Sequence, residues 1–410
     1  MLTRRNLLTR LPLAACGGSL VGCVLKSNAM RERIETAIKA WDAIYDHRTG
    51  TAGDKRTAEW LADEIAAAGL EPEVDWFPFQ RRVLHECRIS VGTESADGVP
   101  LFDGGYTGAR GWRAPLCPLS DGKHIGVTRF AASGRRPPTQ ALQTARRTQQ
   151  HAAIVAIADA DAVGPGLALL NADAYLQPFG PPVLQVATEH GAWLDSAVVE
   201  RADGQFVAHV TLQATEAANV QTVILGRDQT LDPVVIMTPR SAWWTCTSER
   251  AGGIAVWLEC LRYFAEHAPL RTVIFTANTG HELGHVGLDH YLAGAPKLIK
   301  GAHAWIHLGA NFAARGSEIL YQASTQALLA EALLEFGAVD ERPARTTPIG
   351  VRPLGEARNI YDGDGQYVSI LGSNRWFHHP DDRWPTSVDL ARTTRLTQVM
   401  LAIARNLAGV

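Results

Sequence analysis

Glutamate and histidine collect at a few points in this chain: Glu249, the pair His281-Glu282, His285, His307 and the pair His378-His379. These side chains hold divalent ions, and three protein ligands plus water is a known catalytic arrangement for zinc. Such an ion lowers the pKa of its water toward neutrality. An imidazole, which titrates near neutrality, can then take the proton. Taken by themselves, His281-Glu282-Leu283-Gly284-His285 spell HExxH, in which both histidines bind zinc and the glutamate is the base. That reading needs a helix over 281–285, yet RTVIFTAN before it reads as a strand, Gly280 as a turn, and Gly284 and Gly287 weaken any helix. Ser241 and Ser248 share a loop with Glu249, so a serine activated by His281 is another use of the same residues. No GxSxG pattern accompanies it. Trp243-Trp244 either pack or floor a binding pocket. The plainer readings are that Glu249 pairs with Arg250 or another arginine, that His307 is a hydrogen-bonded histidine at a strand end, and that His285 and His379 are surface residues. Asp381 and Asp382 read as loop-turn residues.

What these candidates have in common is their position after apolar segments. DPVVIMT, RTVIFTAN and AHAWIHLGA read as buried strands. GGIAVWLECLRYFAEHA reads as a helix, with Ile254, Leu258, Leu261 and Phe264 at helical spacing. TQALLAEALLEFG and SVDLARTTRLTQVMLAIARNLAG are amphipathic helices, and helices also cover much of 31–69, with Gly69 as a stop. Helices alternating with apolar strands predict an α/β fold, a mostly parallel or mixed sheet sandwiched by helices. In such sheets ligands bind beyond the carboxyl ends of the strands, here in loops beginning at Thr238, Thr279, Leu308 and Gly372. Between about Gly108 and Thr215 the texture changes: short strands (GKHIGVTRF, AAIVAIAD, PPVLQVA) and helices (TQALQTARRTQQHA, EHGAWLDSAVV) form a small α/β insert. The chain has 410 residues, 46% hydrophobic and 20% charged, with a formal net charge of -3. It is too apolar for a disordered chain and not basic enough for nucleic acid as a main partner.

From about residue 30 onward the chain resembles the secreted di-zinc aminopeptidases, the family that includes the glutamate carboxypeptidase and transferrin-receptor folds. The resemblance rests on HRTGTAGDKRTAEWLADEIAAAGLEP, NVQTVILGRDQTLDPVVIMT, ERAGGIAVWLE, GHELGHVGLDHYL and FHHPDDRWPTSVD. It implies a peptidase-like domain over 30–107 and 216–410, with 108–215 resembling a protease-associated insert. In the resemblance, the first metal histidine falls on Pro239, which cannot bind metal. The aspartate that orients a ligand falls on Ser241, the bridging aspartate on Glu249 and the general-base glutamate on His281. The adjacent metal glutamate is kept as Glu282, the next metal aspartate falls on His307, and the final metal histidine is kept as His378. The resemblance thus implies a single zinc on Glu249, Glu282 and His378, with His307 left over from the second ion and His281 as base. Ser241, Trp243 and Trp244 would line the substrate, a peptide or small amide. A non-catalytic binding protein on the same fold, and a metal-independent hydrolase or transferase using the loop around Ser241, are the alternatives.

The first 23 residues read as an address. Arg4-Arg5 form a twin arginine, a mildly apolar stretch runs from Leu11 to Gly22, and Leu-Val-Gly-Cys ends in Cys23 as a lipobox would. The expectation is an exported protein anchored to the membrane by a lipid on Cys23, with a simple cleaved signal as the alternative. Cys87, Cys117, Cys246 and Cys260 remain, without a CxxC pair; their spacing sets no disulfide pairing and gives no oligomeric state.

Overall fold

The computed structural model describes residues 17–133, 137–148, 150–159 and 165–410, and only the backbone of 17–27. The twin arginine lies outside the described residues, and so does the side chain of Cys23. Among the described residues, no helix is long and apolar enough to cross a membrane.

The apolar runs form the strands the sequence predicts. Val273–Asn278, Val234–Pro239, Ala304–Leu308 and Tyr367–Gly372 lie side by side in parallel. They are rich in Val, Ile, Leu and Phe because both faces of the sheet are covered. The register places His307 between Met237 on one side and Ser369 on the other. Ile319–Ala323, which the sequence reading missed, pairs antiparallel with Tyr367–Gly372 and makes the sheet mixed. On the opposite side, Val273–Asn278 pairs antiparallel with the long strand Asp203–Ile224.

The helix Thr247–Glu266 carries the first candidate residue. All residues from Thr247 to Leu261 are buried, so this helix is enclosed all round rather than amphipathic at the surface. Strand Val234–Pro239 lies against it, as do the helices Gly17–Ala43 and Leu390–Ala408. The helix presses closely on its neighbours at Gly252 and Gly253, which lack side chains. A Cβ on Gly252 would come 2.4 Å from the Cβ of Ala313, and one on Gly253 2.7 Å from Thr238 Oγ1. The helix Ala52–Ala67 is capped by Thr51, whose side chain accepts from Asp54 N. Asp54 is in turn paired with Arg240 at 2.8 Å, both fully buried. That bond ties the opening loop to the end of the strand Val234–Pro239.

The segment 108–215 contains the predicted elements: Ile125–Phe130, Ala153–Ala158 and Val183–Val186 pair in parallel, with helices at Pro137–Thr148 and Gly191–Glu200. Its last strand does not stop at residue 215. Asp203–Ile224 runs on as one strand and pairs with Glu73–Val91 from Glu73↔Gln221 to Val91↔Gly204. The four cysteines after Cys23 are free and buried.

Candidate functional site

The loops after the parallel strands bring two buried polar clusters together, and Glu249, His281, Glu282, His285, His307 and His378 each fall into one of them.

The first cluster centres on Arg250. Its guanidinium Nη2 donates to Glu282 Oε1 at 2.8 Å and lies 2.8 Å from Glu249 Oε1, while its Nε donates to the carbonyl of Ser241 at 2.8 Å. Glu249, Arg250 and Glu282 are all essentially inaccessible. Ser241 Oγ donates to Glu282 Oε2 at 2.6 Å and accepts from His281 N at 3.1 Å. The serine hydroxyl is therefore committed to a carboxylate and a backbone amide, not to the imidazole of His281. Burial would raise the Glu249 carboxyl, but Arg250 and His378 hold it down to about 2. Burial would lower the Arg250 guanidinium, but Glu249, Glu282 and Glu356 outweigh it and raise it. The pairing of Glu249 with Arg250, the plainer reading of that carboxylate, is what the structure contains.

His378 completes this cluster from a left-handed backbone position, φ 58°. Its Nδ1 bonds to the carbonyl of Leu169 at 2.7 Å, in a loop within the 108–215 segment. Its Nε2 lies 3.4 Å from Glu249 Oε1, an ion pair when the imidazole is protonated. Glu249 Oε1, Arg250 Nη1 and His378 Nε2 are all buried without a hydrogen-bond partner. Asp382 is more than a loop-turn residue. It is fully buried and accepts from Ser248 N, Ser248 Oγ and Glu249 N at 2.6–3.0 Å, which satisfies the orphan amides at the start of the helix Thr247–Glu266. Burial pushes its carboxyl up to about 6.

The second cluster centres on Glu356, a residue the sequence reading did not single out. His281 Nδ1 bonds to Glu356 Oε1 at 2.6 Å, and His307 Nε2 to Glu356 Oε2 at 3.0 Å. His307 Nδ1 reaches Ser369 Oγ on the neighbouring strand at 2.8 Å. Both nitrogens of His307 are thus engaged, as for a hydrogen-bonded histidine at a strand end. His285 stacks on His281 with ring centroids 5.1 Å apart and bonds through Nδ1 to Asn359 Oδ1 at 2.6 Å. Burial would raise the Glu356 carboxyl, but the His281 and His285 imidazoles and the hydrogen bonds from His281 and His307 hold it well below the usual range. Burial pushes the His285 imidazole down to about 3. His285 and His379 are buried, not surface residues: Asn359 and His281 pack on the first and Trp376 on the second.

The HExxH reading fails as a helix. Gly280, Gly284 and His285 have φ of 78°, 79° and 68°, left-handed values that an α-helix cannot contain. A single 3-10 turn spans His281–Leu283. That turn sends Glu282 to Arg250 and Ser241, so it is not free to be the base between two zinc-binding histidines. It nevertheless leaves His281 and His285 adjacent. Among the described residues, the three metal-competent side chains whose ligand atoms all lie within 4.8 Å of one another are His281, His285 and Glu356. Two imidazoles and a carboxylate are a donor set suited to zinc, so in its chemistry this cluster fits the ion. Glu249 and Glu282 do not fit it in the same way, because a guanidinium already sits on both carboxylates.

Beside the first cluster lies a cavity of about 220 Å³, walled by Arg48, Arg81, Arg82, Phe102, Trp243 and Glu282 among others. Trp243 is buried edge-on against Phe102 at 5.3 Å and donates to Asn171 Oδ1 at 3.2 Å. It therefore both packs and lines a pocket. Trp244 donates to the carbonyl of His378 at 3.0 Å and helps fix that loop.

The Glu249 carboxyl gives a pH prediction. Its folded value of about 2 lies below the ordinary 4.5. A depressed carboxylate contributes stability that is fully present above pH 4.5 and is lost as the pH falls toward 2. Glu249→Gln is expected to cost about 3 kcal/mol at pH 7. In urea unfolding, its gap from the wild type should narrow through that acid range.

Residues 248–347 match the family model "Peptidase family M28". The stretch begins at the start of the Glu249 helix and takes in His281, Glu282, His285 and His307. No curated protein sequence matches the chain. Solved structures match over nearly its whole length. The zinc aminopeptidase of Bacillus subtilis is 15% identical with a TM-score of 0.72, over 93% of this chain and 94% of that one. The aminopeptidase from Aneurinibacillus sp. strain AM-1 is 13% identical with a TM-score of 0.69, over 92% and 94%. A Peptidase M28 precursor from Shewanella amazonensis SB2B is 12% identical with a TM-score of 0.69, over 93% and 97%. The fold is therefore that of the zinc aminopeptidases, a mixed α/β sheet covered by helices.

Proposed function

We propose that the protein is a hydrolase of amide bonds in peptides or small amino-acid conjugates, with His281 as the proton-transfer group and Glu356 as the group that orients it. The observation that carries this is the buried 2.6 Å bond between His281 Nδ1 and Glu356 Oε1 at the carboxyl end of the sheet. An ionised carboxylate on Nδ1–H fixes the tautomer and leaves Nε2 as the base. His307 holds the other oxygen of Glu356, so the carboxylate cannot rotate away. Water attacks the carbonyl carbon of the substrate, its proton passes to His281 Nε2, and the same proton goes to the departing amine. The family match over 248–347 and the aminopeptidase fold support the reaction class.

The donor set of His281, His285 and Glu356 favours a second form of the same reaction. Zinc held there would supply activated water, and His281 would then be a ligand rather than the base. Trp243, at the wall of the cavity, is proposed to shape the substrate side, whereas Ser241, fully buried, acts only by holding the Glu282 carboxylate. Export with a lipid on Cys23, and a protease-associated character for 108–215, belong to the same proposal and rest on the sequence.

Hydrolysis of aminoacyl p-nitroanilides and dipeptides by the purified chain, with and without a strong chelator, tests this. Turnover that survives chelation supports the His281 base, and turnover abolished by it supports the zinc form. A His281→Ala protein as active as the wild type would sink both. No hydrolysis across the panel would favour a binding protein without chemistry, for which the seated Arg250 is the motive.

A further inference from the structure

We infer that Arg250 is the resident cation of the Glu249–Glu282–His378 site, standing where a metal ion would otherwise sit, and that this site takes no divalent ion in the native chain. Three observations carry the inference. One guanidinium nitrogen lies 2.8 Å from a carboxylate oxygen of each glutamate, so the oxygens an ion would need already face a positive charge. Arg250 Nε is anchored on the Ser241 carbonyl at 2.8 Å, which holds the guanidinium in place from the strand-end loop. An arginine does not deprotonate in a protein, and Glu249 and Glu282 enclose this one, so no ordinary pH frees the position.

The rest of the site is still built for a ligand. His378 is oriented through Nδ1 by the Leu169 carbonyl, the way ligating imidazoles are held by their second nitrogen. Its Nε2 is buried without a hydrogen-bond partner, 3.4 Å from Glu249 Oε1. Removing the guanidinium leaves two carboxylates and an oriented imidazole, the donor types zinc accepts, which the arginine now holds farther apart than the 4.8 Å within which His281, His285 and Glu356 converge. Charge supplied by a side chain also differs from charge supplied by an ion, because a chelator cannot strip it.

The test counts metal. The full chain, as wild type, His378→Ala, Arg250→Ala and the double variant, is equilibrated with zinc, desalted, and assayed for zinc and protein by elemental analysis. Wild type and His378→Ala are expected to hold the same amount of zinc. Arg250→Ala is expected to hold one further equivalent, absent from the double variant. If Arg250→Ala is unfolded, zinc should refold it, as read by circular dichroism. The inference is overturned if His378→Ala lowers the zinc content of the native chain, if Arg250→Ala gains none, or if zinc fails to refold an unfolded Arg250→Ala. Any zinc held by His281, His285 and Glu356 is common to all four proteins and is removed by His285→Ala. The outcome is therefore separate from whether the protein hydrolyses amides.

Discussion

Arg250→Met should lower the stability of the metal-free protein by about 3–5 kcal/mol, the cost of leaving buried charges uncompensated. Methionine approximates the length and apolar stem of arginine, so little of this is lost packing. The penalty falls on Glu249 and Glu282, which lose their shared cation while remaining out of water. Without Arg250, burial dominates and the Glu249 carboxyl rises from about 2 toward or above its ordinary 4.5. The sign follows: the variant is most compromised at neutral pH, where both carboxylates are charged, and recovers relative to wild type as acid protonates them. Adding Glu249→Gln and Glu282→Gln should restore most of the loss, because what is destabilising is the unpaired charge and not the absent arginine. Urea unfolding of the three proteins at pH 7 and pH 5 measures this. A loss that did not depend on pH and was not recovered in the triple variant would show that the cluster is not the cause.

Glu356→Gln should reduce kcat/KM for amide hydrolysis by about 10²–10⁴-fold, comparable with removing His281 itself. Glutamine preserves the volume but offers one acceptor oxygen where the carboxylate offers two. Two imidazoles meet that carboxylate, His281 through Nδ1 and His307 through Nε2. One of them must then face an amide NH₂ and change tautomer. If His307 does so, through Ser369 Oγ, which both donates and accepts, His281 keeps its tautomer but loses the carboxylate charge that stabilises its protonated form. If the amide is flipped the other way, His281 carries its proton on Nε2 and is no longer a base. Combining Glu356→Gln with His281→Ala should cost no more than His281→Ala alone, since the glutamate acts through the histidine. A loss that simply multiplied would assign Glu356 a separate role, such as binding an ion.

Much of the fold was legible in the sequence because its strands are short apolar runs and its helices carry a helical period. RTVIFTAN and GGIAVWLECLRYFAEHA each have one good way to bury their side chains. The chemistry-bearing loops were found by the same logic, since residues just beyond a buried strand must emerge at its carboxyl end. Arg250 and Glu356 show where this stops. Glu356 is drawn to His281 and His307 across 75 and 49 residues of chain, and nothing in the letters around it marks that partnership. Arg250 was visible as a neighbour of Glu249, but whether it faced solvent or the two carboxylates depended on how the helix Thr247–Glu266 was buried. Composition and periodicity set which segments form the sheet and which end carries the loops. Only the packed chain decided that a guanidinium sits between Glu249 and Glu282, and that left-handed backbone at 280, 284 and 285 turns an HExxH pattern into a 3-10 turn. The physical reason is that burial converts pairing from an option into a requirement: a charge removed from water takes whichever partner the fold brings within reach.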